Sequence, residues 1–257
     1  MTTLLAATLA TLIFCAPGYP GGAGDAQPLV SDFAAAAAVA AGWPGGSLAA
    51  VYDPTEEGGL AKLNGADAVL AFVPYPFFVE HAARLHLAPL VQADVADIGV
   101  QQRWTLVAKA GRVSSPEAMA GFTILSIAGY APDFVRRSAL AGWALPADVK
   151  IEPTGQILSA LRRAAAGDPA AVLLDQTQAT ALRSLPFAAD LMAVAQSPPL
   201  PVALIVVVNS RLAADRARAL QAGLLKMGRA PGSADALEPL RLRGFVLPTL
   251  PSPPAVR

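Results

Sequence analysis

Asp175 and Gln178 stand three residues apart, directly behind the apolar run Ala170-Ala171-Val172-Leu173-Leu174. A carboxylate and a carboxamide at the end of a buried strand suit two roles. They can meet a ligand, as polar groups do at strand ends of open α/β sheets, or Asp175 can cap the helix that follows. A cap can also lie beside a ligand. Acid–base catalysis would need a second carboxylate, and Glu152 or Asp133 is the only partner that can be assembled for Asp175; all three also have structural readings. Nucleophilic catalysis finds less support. His81 and His86 are the only histidines, and Cys15 falls inside a predicted strand, so no nucleophile–base order emerges. One cysteine permits no internal disulfide and, with two histidines, speaks against a Cys/His metal centre. No catalytic residue, metal or cofactor is expected.

The remaining candidates are aromatic. The run 65–78 drives an apolar strand into Val73-Pro74-Tyr75-Pro76-Phe77-Phe78, a turn whose Tyr75 and Phe77 can wall a ligand or plug a core. Tyr130 follows Gly129, which allows a sharp turn. Tyr19 lies in the Gly/Pro loop 16–22, where a binding residue or a plain connector fits equally.

The elements that must position these residues alternate. Strands are expected at 8–15, 47–53 and 66–73, with helices from about 25 to 42 and at 56–63, giving βαβαβ order. A helix at 77–85 and a short strand at 88–92 follow, then 103–109, which alternates like a strand crossing between two lobes. Ser114 or Ser115 caps a helical turn at Pro116. A second α/β unit has strands at 121–125, 149–152, 171–174 and 191–195, with helices at 132–141 and 157–166; Arg162 and Arg163 should face water. The strand 202–208 and helix 212–227 should return to the first lobe. Lobes of 1–103 plus 202–247 and of 104–201 result, with a loosely ordered tail at 248–257. Asp25 reads as an N-cap, and Trp43 and Trp143 as core or interlobe packing.

Composition narrows the classes. Nineteen basic against nineteen acidic residues, scattered along the chain, leave no footprint for nucleic acid. Much of the hydrophobic fraction of 54% is alanine, so it builds helices and a core without implying a membrane span. The N-terminal stretch 1–17 lacks a basic n-region and reads better as a strand at the core's edge than as a signal peptide. The chain is therefore expected to be a mature one, with any export signal outside it.

Three segments in order carry a resemblance: Gly65-Ala66-Asp67-Ala68-Val69-Leu70-Ala71-Phe72 before an aromatic turn, Ser115-Pro116-Glu117-Ala118-Met119-Ala120-Gly121 before a strand, and 158–172 before Asp175. Together they resemble the phosphonate-binding branch of the type 2 periplasmic binding proteins, receptors of ABC importers. The resemblance covers nearly the whole chain. It implies an α/β, two-lobed fold with two crossing hinge strands, a small molecule held between the lobes, closure on binding, a membrane transporter as partner and a periplasmic, monomeric receptor. It implies no enzyme, although a few enzymes share the bilobal fold.

One turn departs from the family. Phosphonate receptors carry a Ser/Thr-rich turn after the first strand of the second lobe, meeting the oxyanion with hydroxyls and amides. Here it is Ser126-Ile127-Ala128-Gly129-Tyr130-Ala131-Pro132, with one hydroxyl at Ser126, a bulky Tyr130 and a proline that removes a donor. Amides near Gly129 remain available to an anion. The cargo is thus either a phosphonate-type oxyanion or, given Tyr19, Tyr75, Phe77, Phe78 and Tyr130, an apolar or lipid-like molecule such as the sterols carried by some type 2 proteins.

Overall fold

The structure is a computed structural model that describes residues 10–19, 21–229 and 233–251. The chain begins with strand β1 (Ala10–Cys15), helix α1 (Ala23–Ala40), β2 (Leu48–Asp53), α2 (Glu56–Leu63), β3 (Ala68–Pro74), α3 (Tyr75–Leu85) and β4 (Leu87–Val95). It continues through β5 (Gln101–Gln102), β6 (Thr105–Lys109), β7 (Thr123–Ser126), α4 (Pro132–Phe134), β8 (Lys150–Pro153), α5 (Ile157–Ala166), β9 (Ala170–Leu174), α6 (Gln176–Leu182) and β10 (Leu191–Gln196). Then come β11 (Leu200–Pro201), β12 (Ala203–Val208), α7 (Ala214–Met227), α8 (Ala234–Leu237) and β13 (Leu242–Val246).

Two sheets define two lobes. The first runs β13-β4-β12-β3-β1-β2, and the second β10-β6-β9-β7-β8. Within each, three neighbouring strands are parallel: β2, β1 and β3 in the first, β8, β7 and β9 in the second. Every residue of β1 and β9 is buried, as expected for parallel strands covered on both faces. β12 re-enters the first sheet antiparallel to β3 and β4. A separate two-stranded ribbon, β5 with β11, carries the chain across between the lobes in both directions. Beside it Ser197 Oγ accepts the Trp104 amide at 2.9 Å, and Arg103 Nη1 donates to the Ser197 carbonyl at 2.7 Å.

Several sequence expectations shift here. The crossing lies in Gln101–Gln102 and Leu200–Pro201, while the segment expected to cross forms β6, inside the second sheet and buried through Thr105–Ala108 on both faces. β1 is an interior strand between β2 and β3, not an edge. The helix expected over 132–141 breaks after Phe134 into a π-helical turn at Val135–Ala139. Asp25 sits within the first turn of α1, whose cap is Gly22, and Ser115 precedes its 3-10 turn without a capping hydrogen bond from its side chain. β13, unforeseen, pairs with β4 at the sheet edge, its pattern broken by Arg243 and Gly244. The expected tail lies partly outside the described residues; 248–251 carry no regular structure.

α2 and α5 form over the expected spans. Thr55 caps α2 by accepting the Gly58 amide at 3.1 Å. α5 buries Ala160, Leu161 and Ala164, turns Arg162 and Arg163 to solvent, and ends at Gly167 with φ of 100°, a left-handed position suited to glycine.

Candidate functional site

The parallel strands of both lobes end at one cleft. From the first lobe come the loop after β1 and the ends of β2 and β3; from the second come the turns after β7, β8 and β9. Gly18 has φ of +81° and approaches Ile127 so closely that a Cβ built on it would stand 2.6 Å from the Ile127 carbonyl oxygen. These two residues line both cavities of the cleft and divide it.

The larger cavity, about 560 Å³, runs from this divide toward the crossing ribbon. Its walls are mostly apolar: Phe14 of β1, Phe72 and Val73 of β3, Val95, Ile98, Ile127, Val202 and Leu242. Tyr19, Gln102, Asp175, Thr177 and Gln178 supply polar groups, and the exposed Asp97–Arg241 ion pair (2.8 Å) sits at the rim. The smaller cavity, about 280 Å³, lies on the β2/β8 side between Pro17, Thr55, Glu56, Tyr130, Pro153 and Thr154.

Asp175 follows β9 and caps α6. Its Oδ1 accepts the Gln178 amide at 2.8 Å, while Gln178 Oε1 accepts the Asp175 amide at 3.2 Å. Burial pushes its carboxyl pKa up, against the opposing pull of the Gln178 and Thr177 amides. Across the cleft, burial raises the Tyr19 hydroxyl pKa, and the Asp175 charge raises it further. The cap and ligand readings of Asp175 are thus compatible, since the capping residue also lines the cavity.

The other expected site residues are placed differently. Tyr130 lines the smaller cavity, its hydroxyl pKa driven well up by burial and by neighbouring Tyr19 and Glu56. Tyr75 and Phe77 are buried in the apolar cluster that joins the lobes and line neither cavity. Tyr75 opens α3, so the side chains after it turn inward: Tyr75 stacks on Phe78 and meets Phe134 edge-on at 6.1 Å, and Phe77 meets His81 at 4.6 Å. Ser126 is 0% exposed and its hydroxyl is engaged, donating to the Leu173 carbonyl at 2.8 Å and accepting the Ala128 amide at 3.1 Å. Gly129 is required by crowding rather than by a left-handed turn, because a Cβ there would stand 2.1 Å from the Glu152 carbonyl oxygen. Four amides at this turn are engaged: Ala128 donates to Ser126 Oγ, Gly129 to the Ser126 carbonyl, Ala131 to the Ala128 carbonyl, and Asp133 to the Glu80 carboxylate at 2.9 Å.

The carboxylates weighed for acid–base chemistry do not converge. Glu152 is exposed on β8, Asp133 pairs with Arg137 at 3.5 Å, and neither lines the cavity that Asp175 lines. Cys15 does line it, with its thiol pushed up to about 12 by burial and by Asp53, Lys62 opposing, and so held protonated. Among the described residues no three His, Cys, Asp or Glu side chains gather as a metal site would require. The walls that sequence reasoning missed, Phe14, Phe72, Val95, Ile98 and Leu242, read in sequence as ordinary buried apolar positions and carry no separate signal.

The comparisons with known proteins agree with this architecture. XAC2383 from Xanthomonas citri, solved bound to ATP, superposes with a TM-score of 0.67 at 14% identity, over 95% of this chain and 92% of that one. A binding protein component of an ABC phosphonate transporter (PA3383) from Pseudomonas aeruginosa gives 0.59 at 15% identity, over 92% and 81%. PhnD1 from Prochlorococcus marinus in complex with methylphosphonate gives 0.56 at 12% identity, over 94% and 93%. No protein of curated function matches the sequence. At these identities the superpositions speak for the fold. The family model for the periplasmic substrate-binding protein of phosphonate ABC transporters matches residues 119–251, more than half of the sequence. This two-lobed chain belongs to that family of periplasmic solute-binding receptors.

Proposed function

We propose that this receptor carries an apolar or lipid-like small molecule in the cavity of about 560 Å³, and not a phosphonate. The observation that carries the reading is the internal use of the oxyanion turn. Ser126 is bonded on both sides, and the Asp133 amide already holds the Glu80 carboxylate. A dianion would have to displace that carboxylate. In the larger cavity it would meet a buried acid, Asp175, and a rim arginine already paired with Asp97. An apolar molecule meets walls that suit it. On this reading Tyr19, Asp175 and Gln178 contact the cargo, the lobes span 1–103 plus 202–247 and 104–201, and a monomeric receptor delivers to or accepts from a membrane transporter.

Native mass spectrometry of the purified protein, with extraction of whatever is bound, tests this. A co-purified lipid is expected. An empty protein whose melting temperature rises with methylphosphonate or phosphate, through the linkage of binding to stability, would reverse the choice.

A further inference from the structure

Among the described residues lining the larger cavity, one fully buried side-chain donor has no hydrogen-bond partner. Gln102, on the crossing strand β5, is 2% exposed and lines the cavity, yet its Nε2 makes no hydrogen bond among the described residues. Its strand pairing with Leu200 involves the backbone and leaves the side chain unused. Gln92 shows the ordinary arrangement. Equally buried, it donates from Nε2 to the Val100 carbonyl at 2.6 Å and accepts the Thr249 amide at Oε1 at 3.1 Å. A buried carboxamide with an idle donor is unfavourable unless something in the cavity completes it.

We propose that Gln102 is the recognition residue of this cavity and that the cargo is a neutral, mainly apolar molecule bearing a hydroxyl group bonded to the Gln102 carboxamide. The inference rests on the reading of an apolar cargo above. A hydroxyl both donates and accepts, so it satisfies the carboxamide whichever end faces it. Neutrality follows from the other polar groups: Asp97 and Arg241 neutralise each other at the rim, and Asp175 is engaged with the Gln178 amide. Because Gln102 lies on the ribbon that links the lobes, a head group held there also touches the hinge.

The test uses lipid-stripped full-length protein, the neutral fluorophore N-phenyl-1-naphthylamine as occupancy probe, and three matched competitors: 2-naphthol, 2-methylnaphthalene and 2-naphthylmethylammonium. Wild type should bind 2-naphthol most tightly. Gln102→Met, similar in length and apolar, should weaken 2-naphthol about tenfold and leave 2-methylnaphthalene unchanged or tighter, in line with the loss of one buried hydrogen bond. Equal displacement by 2-naphthol in both proteins overturns the assignment, and so does strongest binding of the ammonium, which would move recognition to Asp175. Should the variant not fold, a wild-type preference for 2-methylnaphthalene over 2-naphthol overturns it as well. Failure of the fluorophore to bind wild type removes the apolar-cargo reading itself, whereas bound fluorophore with no hydroxyl preference removes only the role of Gln102.

Discussion

The carboxylate of Glu80 in α3 accepts a 2.9 Å hydrogen bond from the main-chain amide of Asp133 at the start of α4, so the first lobe reaches across to the second. Around this bond Phe134 meets Tyr75 at 6.1 Å and Trp104 at 5.2 Å, within one buried apolar cluster that includes residues of both sheets. Protein contacts therefore join the lobes on this side of the cleft. Glu80→Ala should cost about 1–2 kcal/mol of stability by removing a charge-assisted bond. Glu80→Gln, which keeps an acceptor, should cost less. Chemical denaturation reads the stability and solution scattering the separation of the lobes; an unchanged radius and midpoint in Glu80→Ala would show that the bond holds nothing.

Gly18→Ala tests the divide between the two cavities. The residue is left-handed at φ +81°, and the added methyl would press on the Ile127 carbonyl at 2.6 Å. Backbone strain and clash together should cost about 1–3 kcal/mol and part the lobes at this point. A melting temperature and scattering radius equal to wild type would mean that the loop after β1 shifts freely.

Asp175 is 6% exposed and burial raises its pKa, so the fold disfavours its ionised form. Its contribution to stability is then full below the ordinary aspartate value of about 3.9 and is lost as pH rises through the raised folded value. Asp175→Asn keeps a capping acceptor and removes the charge. Melting of the variant should equal or exceed wild type at pH 7, with the gap narrowing toward pH 4. A variant several degrees less stable at pH 7 than wild type would place the carboxylate charge among the stabilising groups.

His81 should act in the opposite direction. Its Nε2 lies 2.9 Å from Glu56 and its Nδ1 3.4 Å from Arg84 Nη2, an arrangement that fits a neutral ring donating to Glu56. Burial lowers its pKa, Arg84 lowers it further, and Glu80 opposes them. A depressed folded pKa gives stability that is present above the ordinary value of about 6.5 and is lost as pH falls through the folded value. Wild type should thus lose stability below about pH 6.5, and His81→Gln, which retains a donor near the Nε2 position, should lose less over the same interval. Parallel pH profiles for the two proteins would assign the loss to other groups.

Some of this fold was legible because its causes are local. Thr55 caps α2, Gly167 ends α5, and the all-apolar stretch of β9 followed by Asp175 announces a buried strand with a capped helix behind it. The same locality misled at Pro132, where a helical pattern gives way to a π turn, and at 103–109, where alternation in type did not become alternation in burial.

The candidate site divides in the same way. Sequence alone determined the alternating α/β order, the scarcity of nucleophiles and soft metal ligands, and the departure of the turn 126–132 from a hydroxyl-rich oxyanion site, because each is a matter of residue type and near neighbours. Tertiary structure decided which side chains face the cavity. Tyr75 and Phe77 turn into the interlobe core with α3, while Phe14, Phe72, Val95 and Leu242, far apart in the chain, form the wall. Gly129 owes its identity to the Glu152 backbone, and Gln102 its idle donor to a cavity assembled from both lobes. Periodicity tells a residue that it will be buried; what it is buried against depends on contacts between segments far apart in the chain, which no local pattern encodes.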